Sequence, residues 1–333
     1  MKLATIGTGS IVELAITSLE DVEDGTLLAC YSRSMEKAVE FGEKFGFEKA
    51  YDNLEYMMED PDVDTVYIAS PNSLHVPQAR MALEHGKNVI LEKPFAATVQ
   101  EAKELFDLAE SRDLLIFEAI TSIHTPNFGL LKDQMNRIGN VKQIIMNFSQ
   151  YSSRYNAYKE GVVTNVFDPA MQGGALGDIN IYNIHFVVSL YGMPERVTYY
   201  PVLGFNGIDT SGVLILEYPD FVATCIGAKD SSSPYLFFVQ GDEGTFTISG
   251  GSSGKMTDVF FKPCYRPGEV IEEEKISIDQ GLHMTYEFMD FSVAIREHNL
   301  EMYEAWKKET LDVMKILEEA LRQRDAIVAA RQD

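Results

Sequence analysis

Basic residues are scarce: 28 Lys and Arg stand against 51 Asp and Glu, a net charge of -23 over 333 residues. A surface of that sign repels nucleic acid and anionic membranes, which excludes both as partners. Cysteine is scarcer still. Cys30, Cys225 and Cys264 are odd in number and far apart, with neither the CxxC spacing of a zinc site nor the density of a secreted scaffold, so a reducing, cytoplasmic location is expected. No run approaches the roughly 20 uncharged apolar residues of a membrane span. A strand-like run begins already at Lys2, and no signal peptide is expected. The chain also lacks an internal repeat. What is present, 45% hydrophobic and 24% charged residues, is the composition of a globular protein long enough for two domains at roughly 150 residues each.

From Lys2 to about Ile120, short apolar runs (Leu3 to Ile6, Leu27 to Tyr31, Thr65 to Ala69, Asn88 to Leu91, Leu114 to Phe117) alternate with helix-favouring segments (Ser34 to Phe45, Pro77 to Glu84, Val99 to Glu110). That rhythm predicts a doubly wound parallel sheet over residues 1–120. Beyond it, a helix from about Thr125 to Arg137 leads into a strand from Val141 to Tyr151. Strands around Arg196, Val213, Val222, Leu236 and Thr245, separated by turn signals, predict an antiparallel meander. The fold class is therefore α/β: a doubly wound domain followed, over 121–333, by an α+β domain with a large, mainly antiparallel open sheet. Helices over roughly Leu282 to His298 and Tyr303 to Val328 close the chain, the latter with an amphipathic packing face of Leu311, Met314, Leu317 and Leu321. The run Ser249 to Gly254 reads as a mobile loop tip.

Gly7-Thr8-Gly9 follows the first strand and precedes a helical run from Ile11, so the backbone of Gly7, Thr8, Gly9, Ser10 and Ile11 is placed to meet a pyrophosphate at a helix N-terminus. The third glycine of GxGxxG is replaced by Val12, which would hold the helix slightly off the sheet. At the end of the second strand, where an NAD site places a carboxylate on the ribose, stand Tyr31, Ser32 and Arg33, with Lys37 a turn further on. A guanidinium and a hydroxyl bind a 2′-phosphate that a carboxylate would repel, which favours NADP over NAD. Two more loops fall at strand ends, Ser70-Pro71-Asn72-Ser73-Leu74-His75 and Glu92-Lys93-Pro94. In the second, Pro94 keeps Lys93 out of the helical region and at the sheet edge.

In order and spacing, the GxG turn, the Ser-Pro-Asn-x-x-His loop, Glu92-Lys93-Pro94 and the later Gly173-Gly174-Ala175-Leu176-x-Asp178 resemble the glucose-fructose oxidoreductase/inositol dehydrogenase (Gfo/Idh/MocA) family, over essentially the whole chain. The resemblance implies a Rossmann domain, an NAD(P)-dependent oxidoreductase of sugars or other polyols, and a homodimer or homotetramer formed through the open sheet. It also implies Lys93 as the catalytic lysine, with Ser70, Pro71, Asn72, His75 and Glu92 lining the cofactor. Many members carry histidine four residues after the motif aspartate. Tyr182 here resembles instead the glucose-fructose oxidoreductase and dimeric dihydrodiol dehydrogenase branch, in which a tyrosine handles the proton, rather than inositol dehydrogenase. His185 then falls where a substrate contact is expected.

Read as a helix, Gly174 to Tyr191 carries Asp178, Tyr182, His185 and Ser189 at about 0°, 40°, -20° and 20°, a polar stripe on an otherwise apolar surface. Asp178 is the only charged residue between Pro169 and Pro194, so the helix is expected to be buried with its stripe facing a polar cavity. Hydride transfer from a carbinol requires a proton acceptor, and a phenol of pKa about 10 needs a nearby cation, for which Lys93 is the candidate. Asp178 would orient Lys93 or a substrate hydroxyl. No metal is called for, since no compact Cys/His cluster occurs. The stretch Gln150 to Lys159, with Tyr151, Arg154, Tyr155, Asn156 and Tyr158, mixes aromatic and polar groups suited to a sugar face, and equally to packing on its own domain. His124, just past the crossover between domains, is a weaker candidate. The alternatives to a sugar, polyol or diol dehydrogenase are a non-catalytic NADP-sensing regulator and a reductase of a non-sugar aromatic diol or dicarbonyl.

Overall fold

The computed structural model describes residues 1–331 apart from Leu236. The chain divides into two compact units, residues 1–119 with 282–311 and residues 120–281 with those from Asp312 onward.

The first unit alternates strand and helix as its sequence rhythm requires: β1 (Lys2–Ile6), α1 (Ser10–Leu19), β2 (Thr26–Tyr31), α2 (Met35–Phe45), β3 (Lys49–Tyr51), α3 (Leu54–Met58), β4 (Thr65–Ile68), α4 (His75–Glu84), β5 (Asn88–Glu92), α5 (Val99–Ser111) and β6 (Ile116–Ala119). The six strands are parallel in the order β3-β2-β1-β4-β5-β6. β4 and β6 are buried throughout, as strands covered on both faces are, and the chain reverses direction across the sheet between β1 and β4. Helix α5 starts sharply because Thr98 and Glu101 form a reciprocal capping box. α4 begins two residues before Pro77, which a first helical turn tolerates.

The second unit contains α6 (Pro126–Asp133), β7 (Val141–Ser149), α7 (Tyr155–Lys159), α8 (Ile181–Tyr191), β8 (Arg196–Leu203), β9 (Asp209–Glu217), β10 (Val222–Ala228), β11 (Phe237–Gly241), β12 (Gly244–Ser249), β13 (Asp258–Pro263) and β14 (Glu274–Lys275). The expected strand around Leu236 begins at Phe237, Leu236 itself lying outside the described residues. The sheet has eight strands in the order β14-β13-β12-β11-β7-β10-β9-β8. It is not a simple meander: β7 is inserted between β11 and β10 and runs parallel to β10, while every other pair is antiparallel.

A single cut at residue 120 also requires correction, because α9 (His283–Glu297) and the start of α10 (Leu300–Ala330) return to the first unit. The reason is aromatic packing: Phe288 meets Tyr67 edge-on at 5.4 Å, Phe291 stacks on Phe117 at 4.7 Å and Trp306 meets Phe117 at 5.9 Å. The rest of α10 buries Val313, Met314, Ile316 and Leu317 in the second unit, the packing role its periodicity predicts. Among the described residues no helix is long and apolar enough to cross a membrane.

Candidate active site

In the first unit the turn after β1 is built for close approach. Gly7 has φ +121°, and a Cβ there would stand 2.9 Å from the Ala69 carbonyl oxygen and 3.3 Å from Val12 Cγ2. Val12, wholly buried, thus fills the space under the turn that Gly7 leaves open. Gly9 caps α1 with open space beside it, and Gly9, Ser10 and Ile11 are exposed at the helix N-terminus, where unpaired N–H groups and the helix dipole receive anions. A cleft of about 580 Å³ opens beside this turn. Gly7, Thr8, Ser32, Arg33, Lys37, Ser70 and Pro71 line it, together with Ile6, Tyr31, Ser34, Ala69, Leu74 and Gln78, and none of these residues is acidic. Asn72 sits on a 3₁₀ turn beyond Pro71 and is not among the lining residues.

His75 and Glu92, expected to line the cofactor, do not line this cleft. They lie inside, 1% and 8% exposed, where they hold the loops that do. One His75 ring nitrogen, Nδ1, lies 3.0 Å from the Pro94 carbonyl oxygen and the other, Nε2, 3.0 Å from that of Ser70, so one imidazole stitches the loop after β4 to the loop after β5. Burial pushes its pKa below the ordinary value, against the two carbonyls that favour the cation. Ser70 is held further by its Oγ, which donates to Gln78 Oε1 at 2.6 Å. Tyr67 donates to Glu92 Oε1 at 2.7 Å, and the Phe95 N–H donates to Glu118 Oε1 at 3.1 Å. Burial pushes the Glu92 carboxyl up, opposed by the neighbouring Lys93 charge. Between these anchors, Lys93 is half-buried, joined to Pro94 by a cis peptide bond.

In the second unit the glycine motif opens the polar helix. A Cβ on Gly173 would strike the backbone of Asn165 and Val166 at 2.7 Å, and one on Gly174 (φ +119°) would stand 2.4 Å from Asp209 Oδ1. Asp209 is fully buried and accepts from the Leu176 N–H at 2.7 Å, Tyr199 Oη at 2.9 Å and the Arg324 guanidinium at 3.2 Å. The first turn, Leu176–Asn180, is π-helical and only Ile181 onward is α-helical, so the angular positions expected from Asp178 on a regular helix do not hold across this turn. The helix is buried as predicted. Asn180 donates to the Cys225 carbonyl at 3.0 Å and Asn183 to that of Ile226 at 3.0 Å, pinning it to β10, where Gly227 leaves room: a Cβ there would sit 2.7 Å from Asn180 Cβ.

Tyr182 is half-buried with its ring 5.8 Å from that of Phe148, whereas His185 is 0% exposed, beneath the surface rather than on it. The expected mobile tip at Ser249 to Gly254 is corrected at its far end. Ser253 is wholly buried and donates to Asn183 Oδ1 at 2.9 Å, while a Cβ on Gly254 would lie 3.4 Å from the Tyr182 ring. Asp178, expected to orient Lys93 or a substrate hydroxyl, forms an ion pair with Lys229, a residue sequence reasoning missed. Its one signal was a lysine at the end of a predicted strand in a chain poor in bases. The Lys229 ammonium lies 5.8 Å from the centre of the Phe167 ring, which stacks on Tyr158 at 4.7 Å and meets Tyr155 at 5.7 Å. Tyr155 therefore packs in the aromatic cluster around Phe167, while the exposed Asn156 accepts from Tyr151 Oη at 2.8 Å. His124 is buried, 9% exposed.

A parallel sheet with a glycine turn over a basic cleft, a lysine at the end of the next-but-one strand and a separate unit with a buried polar helix define a dinucleotide-dependent oxidoreductase. The chain belongs to the Gfo/Idh/MocA family: residues 1–119 match the model of the oxidoreductase family with an NAD-binding Rossmann fold, and residues 134–247 match the family's C-terminal domain. It is 36% identical over 333 residues to the scyllo-inositol 2-dehydrogenase (NADP(+)) IolU of Bacillus subtilis, covering 100% of this chain and 99% of that one. It is 32% identical over 262 residues to a trans-1,2-dihydrobenzene-1,2-diol dehydrogenase of Xenopus tropicalis, covering 71% and 76%. The crystal structure of a 3-ketoreductase from Actinomadura kijaniata in complex with NADP shares the fold with a TM-score of 0.81 at 19% identity, covering 97% of each chain.

Proposed function

We propose that the protein is an NADP(H)-dependent dehydrogenase of a sugar, a cyclitol or other polyol, or a related diol, with Lys93 and Tyr182 handling the proton. The observation that carries this is the cleft at the end of β2, where Arg33, Lys37 and two serines stand with no carboxylate among the lining residues. That lining fits a 2′-phosphorylated adenosine, and the Gly7 turn with the exposed start of α1 fits the diphosphate. The residues of this cleft would hold the dinucleotide, whose nicotinamide would supply the hydride acceptor or donor for the carbinol carbon. Tyr182 takes the hydroxyl proton in oxidation and returns it in reduction, and the Lys93 ammonium stabilises the negative charge on the substrate oxygen. His75 acts at one remove, holding the Lys93-Pro94 loop against the Ser70 loop. The names of the relatives, a cyclitol dehydrogenase and diol dehydrogenases, support a substrate with more than one hydroxyl.

The sheet of the second unit supports self-association through its open face. One row across it, Thr198, Ile215, Thr224, Ile145, Phe238, Thr247 and Phe260, is half-exposed on seven neighbouring strands. A row that alternates threonine with Ile and Phe over that length is of the kind a second copy covers. Light scattering should return a multiple of 37.4 kDa, and a clean monomer counts against the dimer or tetramer.

The function is tested by following NADPH and NADH absorbance with scyllo-inositol, D-xylose and trans-1,2-cyclohexanediol, and by titrating both cofactors. NADPH should bind at least about tenfold tighter, roughly 1.4 kcal/mol, and Arg33→Ala should erase most of that difference. Equal affinities, or no turnover of any polyol, overturn the reading.

A further inference from the structure

We infer that Lys229 is a positioning residue of the substrate site: its buried ammonium fixes Asp178 as an ionised acceptor for a second substrate hydroxyl, beside the one that reacts. This deepens the dehydrogenase reading above and rests on it.

The two partners are unequally placed. The Lys229 side chain is 5% exposed and that of Asp178 33% exposed, so the cation lies inside and the carboxylate reaches the surface. Lysine is seldom buried to that degree, because its charge loses hydration that only a paired and well-placed anion restores. The backbone at Lys229 is fixed from both sides: its N–H donates to the Thr210 carbonyl at 2.8 Å, and its carbonyl accepts from the Ser152 N–H at 2.9 Å. The ammonium lies over the Phe167 ring at 5.8 Å, and that ring is itself stacked on Tyr158. Lys229 is thus the rigid member of the pair, and Asp178 is aimed by it.

Asp178 sits on the π-helical turn that leads into α8, four residues before Tyr182. A carboxylate has about four acceptor positions, so an ion pair does not exhaust it, and its exposed part accepts a hydroxyl hydrogen bond. With one substrate hydroxyl giving its proton to Tyr182, the hydroxyl on a neighbouring carbon donates to Asp178. The half-exposed Tyr155 packs on Phe167, the ring beside the Lys229 ammonium. The substrate class is a vicinal diol, and the pair Asp178–Lys229 supplies selection against the mono-alcohol. A hydrogen bond to an ionised partner discriminates by about 10- to 100-fold.

Two probes isolate the second hydroxyl: trans-1,2-cyclohexanediol and cyclohexanol. The wild type should prefer the diol in kcat/KM by about 10- to 100-fold. Lys229→Met and Asp178→Asn should each bring that ratio close to one, and Lys229→Arg should restore much of it. A second readout is the acid limb of the kcat/KM profile. Without the ammonium Asp178 protonates at higher pH, so the limb should move upward in Lys229→Met, whereas a merely structural loss lowers the whole profile without moving it. Should Lys229→Met fail to fold, Asp178→Asn, which keeps the buried cation and the shape of its partner, decides by the diol ratio alone. An active enzyme whose ratio and acid limb are unchanged in the folded variants overturns the role of Lys229 and leaves the dehydrogenase reading standing. A wild type that turns over neither the diol nor scyllo-inositol with NADPH brings down both.

Discussion

The first unit holds its site loops largely by hydrogen bonds to backbone, whereas the second adds two ion pairs to such bonds from Asn180 and Asn183. His75 reaches two carbonyl oxygens, and Glu118 accepts from a backbone N–H. These contacts join the ends of β4, β5 and β6, neighbours in one parallel sheet. In the second unit Asp178 pairs with Lys229, 51 residues away, and Asp209 with Arg324, 115 residues away. The difference follows from the ligands. A long dinucleotide is gripped along its length by turns whose shape is fixed locally, so contacts between neighbouring loops suffice. A small polyol is read by a few side chains, each of which must be set by a partner from elsewhere in the chain.

The largest test of that contrast removes one chemical group from each unit. Lys93→Ala and Tyr182→Phe should each lower kcat by about 10² to 10⁴, with NADPH affinity little changed. On the proposal that the two handle one proton, the double variant should be scarcely slower than the worse single one, as a stopped assay on the best polyol will show. Additive losses would mean that the lysine and the tyrosine do separate work.

How far each unit is legible in sequence follows the same contrast. In the first, Gly7, Arg33, Ser70 and Lys93 each follow a strand in a regular alternation, so their place at the carboxyl edge follows from periodicity. From the residues alone His75 already reads as a helix-start or core residue; what escaped was the inward direction of Glu92, which depends on the hydroxyl of Tyr67 that meets it. In the second, Asp178 and Tyr182 stand out as polar residues on an apolar helix. Lys229, Asn180, Asn183 and Ser253 do not, because their meaning arises only when β10 and the β12–β13 loop pack on that helix. The π-helical turn has no period that sequence reasoning could detect, and α9 was assigned to the wrong unit because an aromatic-rich helix does not announce which sheet it covers.

A smaller effect sharpens the comparison from the side of stability. Glu287 on α9 breaks the first unit's pattern, being 0% exposed with neither carboxyl oxygen bonded to any described residue. Burial, and then repulsion from Glu92 and Asp290, raises its pKa well above the ordinary 4.5. A carboxyl whose folded pKa is raised contributes most stability below the unfolded value and loses it as the pH rises through the folded one. Glu287→Gln should therefore match the wild type most nearly at acid pH. As the pH climbs from about 4.5 through the raised value, the variant should become the more stable, by about 1–3 kcal/mol in denaturant midpoints at neutral pH. A gap that widens toward acid pH instead would show Glu287 ionised and paired in the folded state.

The smallest effect separates a tyrosine that supports the second unit from the one proposed to act there. Tyr158, 3% exposed, donates to Asn206 Oδ1 at 2.6 Å, and Asn206 in turn donates to the Phe167 carbonyl at 2.8 Å. Burial raises its pKa, so it is neutral wherever the enzyme works. Removing the hydroxyl deletes one hydrogen bond and leaves the Asn206 oxygen with only the longer bond from the Ile208 N–H at 3.4 Å, a loss of about 1 kcal/mol. For a unit of this size that amounts to roughly 2–4 °C in Tm. The ring stays, and with it the stack on Phe167 beneath Lys229, so Tyr158→Phe should keep kcat within about twofold while its Tm falls. Tyr182→Phe should do the reverse, losing turnover with Tm nearly unchanged, since its part is played with a proton rather than with the fold. If Tyr158→Phe cost as much turnover as Tyr182→Phe, the aromatic cluster would be handling substrate directly, and the line drawn between the supporting and the reacting tyrosine would have to move.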